Sequence, residues 1–168
     1  MIACTLMNSP YVGRAVVVGP VGLVLTEAKG RPNAMTVSFF SEVAHFPTAL
    51  WVAIHPSSYT HELIQANGRF TLVVLDETQA SIAAACGSVS GREVDKCAGL
   101  NLDRGKAGEL YMEDAFASAV CRVSSARPLG EHTLFIAEIL AGEFESRRTI
   151  RRHLLTSDLA GWPETASV

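Results

Sequence analysis

Six stretches of the chain read as strands: 20–28 (PVGLVLTEA), 33–40 (NAMTVSFF), 49–54 (ALWVAI), 69–75 (RFTLVVL), 116–123 (FASAVCRV) and 132–140 (HTLFIAEIL). They are short, rich in Val, Leu, Ile and Phe, and bounded by polar or Gly-containing segments. Pro20 opens the first, a position where a strand tolerates proline. KGRPN (29–33) carries the Gly and Pro of a hairpin turn. Several stretches are apolar on consecutive positions, which predicts cover on both faces. An open sheet covered on both sides meets that requirement. So does a small closed barrel overlaid by a helix or a second subunit.

Helical patterns are fewer. YTHELIQANG (59–68) follows a cluster of hydroxyls and stops at Asn-Gly, with Thr60 as the expected N-cap. ETQASIAAACG (77–87) is Ala-rich and also ends on Gly. GREVDKCAGLNLDRGKAGEL (91–110) reads as a short helix and then a polar loop. Strands pooled with two or three helices, without regular β-α-β alternation, argue against a doubly wound parallel sheet.

Composition sharpens this. The chain has 168 residues, 48% hydrophobic and 18% charged, which fits one domain, 1–168, with apolar surface to spare for a subunit interface. A net charge of −3 gives no general attraction for nucleic acid. Neither a signal peptide nor a membrane span is expected, so the protein reads as cytoplasmic and without a membrane partner. Cys4, Cys86, Cys97 and Cys121 are widely spaced and expected reduced and buried. No metal site is expected. Arg147, Arg148, Arg151 and Arg152 would share a helix face, solvated and partly paired with Glu143.

Common nucleotide motifs are missing: neither G-x-G-x-x-G after a strand nor G-x-x-x-x-G-K-[ST] occurs. Three features offer other chemistry. HPSSYTHELI (55–64) sets Ser57, Ser58, Tyr59 and Thr60 at a helix start, where unpaired N–H groups and hydroxyls make a neutral anion cradle. Plain helix capping explains the same residues. In SGREVDK (90–96), Arg92 and Lys96 are four apart and would face the same way on a helix, adding positive charge. Surface pairing of Lys96 with Glu93 or Asp95 is the simpler explanation of this feature taken alone. His132 opens an apolar strand, where it could meet a ligand or bond a neighbouring loop. In 33–40, Ala34, Thr36, Ser38 and Phe40 share one face of the strand, and Asn33, Met35, Val37 and Phe39 the other.

Taken in order, these pieces resemble the flavin reductase-like family of FMN-binding split β-barrels, from about Pro20 to about Gly142. The matching segments are PVGLVLTEAKGRPNAMTVSFFSEV, ALWVAIHPSSYTHELIQANGRFTLVVL, CGSVSGREVDKCAGL and LGEHTLFIAEI. The resemblance implies a mainly β fold with a few helices, a six-stranded antiparallel Greek-key split β-barrel, and a homodimer with each flavin near the interface. It implies that Asn33, Ala34, Met35, Thr36, Val37 and Ser38 line the FMN site, the Ala34/Thr36/Ser38 side meeting the ring. Ser57, Ser58, Tyr59 and Thr60 would hold the phosphate, with Arg92 or Lys96 as counter-charge. The sequence departs from the family at three points. Pro47 stands alone where many reductases have Asp-Pro-Pro, Cys97 replaces a Phe, and Glu131 replaces the Asp of Gly-Asp-His.

The function implied is an NAD(P)H-dependent flavin reductase, with hydride passing from nicotinamide to flavin N5 and the protein supplying position and electrostatics. His132 is the residue expected to place NADH or NADPH. Reduced flavin would feed a partner monooxygenase. Alternatively the chain is an FMN-retaining carrier or ferric reductase, flavoredoxin-like and serving a redox protein. A binding protein without turnover is the third reading. Residues 145–168 fall outside the resemblance and read as a partly mobile extension lying across the partner.

Overall fold

The computed structural model describes residues 18–144 and 151–159. Nine strands and two helices follow one another: β1 (Gly22–Ala28), β2 (Arg31–Val37), β3 (Phe40–His45), β4 (Thr48–Ile54), α1 (Tyr59–Asn67), β5 (Arg69–Val74), α2 (Ala80–Gly87), β6 (Leu102–Arg104), β7 (Leu110–Met112), β8 (Ala117–Leu129) and β9 (His132–Phe144). Seven strands form one antiparallel sheet in the order β2-β1-β5-β8-β9-β4-β3, and β6 pairs with β7.

The sheet closes on itself for a simple reason. Its two edge strands, β2 and β3, are joined by Ser38 and Phe39 alone. A flat seven-stranded sheet is about 29 Å across, whereas three Cα steps span about 11 Å. The sheet therefore curls until its edges approach. They do not pair with each other among the described residues, so the barrel is split along that seam.

Alternate residues then serve two cores. Val24 lies opposite Leu72, Val52 opposite Phe135 and Leu50 opposite Ala137. These point inward with Phe70, Cys121 and Ile64 of α1. The intervening residues Leu23, Leu25, Ala34 and Val73 point outward and are sealed by Ala83 and Cys86 of α2, by Leu110 and Met112 of β7, and by Leu154. Unbroken apolar runs in β1 and β5 thus report two buried faces. The hairpins follow local chemistry. Lys29 and Gly30 both take positive φ (50° and 79°) between β1 and β2, as a two-residue turn that matches strand twist requires. Pro32 sits in β2, an edge strand, where a missing N–H does least harm.

Several sequence expectations are corrected. The sheet has seven strands rather than six, because Phe40–His45 pairs with β4 as a strand of its own. Segment 91–101 is a series of turns, not a helix, followed by the short β6–β7 ladder. Arg151 and Arg152 are not helical. Arg151 pairs with the fully buried Asp76 at 3.0 Å, and Arg152 pairs with Glu77 and Asp158. Arg147 and Arg148 lie outside the described residues.

The C-terminal segment also differs from the expected extension. Residues 151–159 dock on their own chain. Leu154 is fully buried, its N–H bonding Leu75 at 2.8 Å and its carbonyl accepting from Val21 at 2.7 Å. Thr156 N–H bonds the Gly19 carbonyl at 3.0 Å. This segment therefore covers the ends of β1 and β5. Residues 145–150 and 160–168 lie outside the described residues.

Candidate functional site

α1 begins at a turn built by Ser and Thr side chains. Ser58, in extended conformation, is the N-cap: its Oγ accepts the His61 N–H at 3.2 Å. The cap falls two residues before the Thr60 expected from sequence. Thr60 is instead buried inside the first turn, and its Oγ1 accepts from Asn33 Nδ2 at 2.8 Å. That bond ties the start of α1 to β2. The far end stops at Gly68, whose φ of 65° lets its N–H reach back to the Ile64 carbonyl. The first N–H groups of α1 have no carbonyl within the helix to bond, and the helix dipole adds partial positive charge there.

Arg92 reaches this helix start from the 90–96 turns. Its Nη1 donates to the Ser57 carbonyl at 3.2 Å, its Nη2 pairs with Glu62 at 2.8 Å, and its guanidinium lies 5.2 Å from the Tyr59 ring centre. Both members of the ion pair are largely exposed, so the bridge is weak and easily exchanged for another anion. Lys96 goes elsewhere. Its ammonium donates to the Cys86 carbonyl at 2.9 Å, at the end of α2. Burial pushes its pKa down, partly offset by the neighbouring Cys86 and Cys97. The two cations do not share a face, because the segment between them is not helical.

Asn33 is the hinge of the arrangement. It is 4% exposed, and its Oδ1 is buried without a hydrogen-bond partner among the described residues. Gly91 packs directly on it: a Cβ there would lie 1.9 Å from Oδ1 and 3.3 Å from Tyr59 Cδ1. Only glycine lets the 90–92 turn close over Asn33. On the other face of β2, Ala34 is fully buried and the Thr36 hydroxyl donates to the Ala83 carbonyl at 2.6 Å. Those two side chains are covered by α2. Met35 packs at the edge of the barrel interior and Val37 inside it, while Ser38 is half-buried at the seam. What β2 leaves open is its outer backbone edge, which no strand pairs among the described residues.

His132 stands at the mouth of the β8–β9 hairpin, half-buried. Its ring packs edge-on against Phe39 and against His55, each at 5.7 Å. His55 in turn holds Ser57: Nδ1 lies 2.8 Å from Ser57 Oγ and 3.2 Å from Ser57 N. Register explains the proximity. Ile54 pairs with Thr133, which sets the end of β4 beside the start of β9. His61, in the first turn of α1, is a buried histidine with Nε2 2.8 Å from Thr133 Oγ1. Burial pushes its pKa down, with His55 adding to the effect.

Side-chain contacts therefore link the hydroxyl turn to Asn33, to Arg92 and, through His55, to His132. Lys96, Ala34 and Thr36 are engaged elsewhere. Sequence reasoning missed His55, Gly91 and Phe39. The signal for His55 was present: it directly follows a strand and lies two residues before Ser57, where the hydroxyl turn begins. Two open clefts of about 620 and 480 Å³ lie along the β6–β7 hairpin and contain none of these residues. Cys86, Cys97 and Cys121 are buried and unpaired. Burial raises all three thiols, Cys97 to about 11 and Cys121 to about 12, so they are poor nucleophiles. Cys4 lies outside the described residues. No helix among the described residues is long and apolar enough to cross a membrane.

A planar group carrying a phosphate fits these residues. Helix-start donors and a guanidinium suit the phosphate, and a strand edge that no strand pairs among the described residues suits a planar polar rim.

Comparison with known proteins bears on the same point. A family model described as flavin reductase like domain matches residues 13–156. The reductase component of FADH(2)-dependent resorcinol hydroxylase from Rhizobium sp. is 31% identical over 114 residues, 67% of this chain and 63% of that protein. The NADH-dependent flavin reductase StyB of Pseudomonas fluorescens is 30% identical over 138 residues, 80% of this chain and 78% of that protein. Flavoredoxin from Methanosarcina acetivorans superposes with a TM-score of 0.76 at 26% identity, covering 87% of this chain and 77% of that one. The chain spans about half to two thirds of the length of the first curated relatives it matches.

Proposed function

The chain belongs to the flavin reductase-like domain family, and from that premise we propose that it is an NAD(P)H-dependent flavin reductase working on FMN. The observation that carries this reading is the run of contacts Arg92–Ser57–His55–His132 beside the open edge of β2. The N–H groups and hydroxyls of residues 57–60, with Arg92, would hold the FMN phosphate. The ring would lie along the 33–38 edge, meeting backbone donors and acceptors there. The Ala34 and Thr36 side chains serve α2 instead.

When bound, the flavin supplies the capacity to accept a hydride from reduced nicotinamide. The chain's own part is placement. Phe39 and His55 fix the His132 ring from two sides, leaving its nitrogens to bond the second nucleotide at the barrel mouth. No acid–base pair is required for such a transfer, which accords with a site made of hydroxyls, an Arg and backbone.

Relatives named as reductase components of oxygenases support a role in supplying reduced flavin to a partner monooxygenase. The likeness to flavoredoxin supports an FMN-retaining variant of the same reading. The open site and the exposed apolar residues Val43, Phe46 and Leu140 support a homodimer that covers the flavin from a second subunit. A cytoplasmic setting follows from the same reading.

Titration with FMN, followed by NADH and NADPH oxidation with and without it, tests this. Saturable FMN binding and FMN-dependent oxidation are expected. Absence of both would end the proposal. Colour retained after dialysis would select the carrier variant. His132→Ala is expected to raise the apparent KM for NAD(P)H about five- to tenfold, the effect of losing one or two hydrogen bonds. FMN affinity should change far less. A collapse of FMN affinity with unchanged nucleotide kinetics would place His132 at the wrong ligand.

A further inference from the structure

Ser57 has two hydrogen-bond donors, its N–H and its hydroxyl, and both go to a single atom. His55 Nδ1 lies 3.2 Å from Ser57 N and 2.8 Å from Ser57 Oγ. The N–H can only donate, so Nδ1 carries no proton and its lone pair is the acceptor. The hydroxyl must then donate as well, and the ring proton sits on Nε2. Neutral His55 thus occupies the two groups of Ser57 best suited to an anion at the start of α1.

Protonation reverses this. A proton on Nδ1 would donate to Ser57 Oγ, freeing the hydroxyl proton to point away. It would also repel the Ser57 N–H, and His55 would carry a positive charge beside the cradle. We propose that His55 is a proton-linked positioning residue, holding both Ser57 donors while neutral and releasing them to the FMN phosphate when it takes up a proton. This rests on the FMN reading above and adds a regulation of the same site.

The charged and titratable groups around it are few. His132 packs against it from the β8–β9 hairpin, with Glu131 3.8 Å from His132 Nδ1; His61 of α1 is close enough to couple to it; and Arg92 of the 90–96 turns, paired with Glu62 of α1, bonds the Ser57 carbonyl. Arg92 is already paired with Glu62, and burial, with His55 adding to it, lowers the His61 pKa. Of the imidazoles in this group, His55 is the one whose protonation changes the hydrogen bonding of Ser57.

The sign follows from linkage. If the complex holds the His55 proton more tightly than the free protein does, binding takes up protons. The part of FMN affinity due to His55 then grows as pH falls through the imidazole range. The FMN phosphate also ionises there, near pH 6; free FMN does so alike in both titrations and cancels, whereas any difference in the bound phosphate arises from His55 itself and belongs to the same linkage.

Calorimetric FMN titration near neutral pH, in two buffers of different ionisation enthalpy, counts the protons. Wild type is expected to take up a measurable fraction of a proton more than His55→Ala. The affinity ratio of wild type to variant should rise roughly fivefold from pH 8 to pH 6, the lower end of ordinary coupling between sites. In a Ser57→Ala background, removing His55 should have a smaller effect on the proton count. Equal proton counts for wild type and His55→Ala, with FMN bound by both, overturn this proposal alone. So does an undiminished His55 effect without the Ser57 hydroxyl. No FMN binding by either protein overturns both this proposal and the function on which it rests.

Discussion

Gly91→Ala is expected to weaken FMN binding about tenfold or more, since a hydrogen bond to a charged group contributes about 1.5–3 kcal/mol. The added Cβ would lie 1.9 Å from Asn33 Oδ1 and 3.0 Å from Asn33 Cγ, closer than such contacts occur. Asn33 cannot swing aside freely. It is buried, and its Nδ2 is fixed to Thr60 Oγ1 at 2.8 Å. Either the 90–92 turn lifts, taking Arg92 away from Ser57, or the Asn33–Thr60 bond breaks and the start of α1 loosens. Both routes damage the proposed phosphate cradle and leave the barrel core untouched. FMN titration by fluorescence, set beside a denaturation curve, checks this. Unchanged FMN affinity would show that the turn has no part in holding the cofactor.

Leu154→Ala should lower stability by about 3 kcal/mol, within the 2–5 kcal/mol seen for emptying a leucine site in a packed core. Leu154 is fully buried in the outer core against β1, β5 and α2. Its backbone bonds bridge Val21 and Leu75, so the surrounding chain cannot easily collapse into the space left. The urea midpoint reports the loss. A change below about 1 kcal/mol, the scale of ordinary surface substitutions, would mean that the segment is not seated there. The proposed FMN site lies along the outer edge of β2, away from Leu154, so binding to the folded fraction should survive.

Those two predictions draw on features of different legibility. β1, β2, β4, β5, β8 and β9 could be read directly, because their apolar runs and Gly-bearing turns are local signals. β3 could not. Its residues Ser41, Glu42 and Val43 are all exposed, so no buried stripe marks it, and it forms by pairing with β4. The hydroxyl turn was legible as a helix start. Which hydroxyl caps it was not: Ser58 and Thr60 are equally good caps, and the choice is made by Asn33, far away in sequence. Arg92 and Lys96 looked like neighbours on a helix. Gly91 instead starts a set of turns, so the four-residue spacing loses its meaning and each cation finds its own carbonyl. The docking of 151–159 was hidden for a related reason. RRHLLTSD holds only two apolar residues, too few to announce a buried segment, and its fit depends on a groove made by distant chain, with Val21 and Leu75 bonding Leu154.

That groove has a consequence for how the protein is made. A ribosome adding about 5–20 residues per second needs roughly 4–16 s between Leu75 and Leu154. Until Leu154 emerges, the outer core around Leu23, Leu25 and Val73 lacks part of its cover, a natural landing place for a chaperone. Leu154 then completes the cover over the outer core.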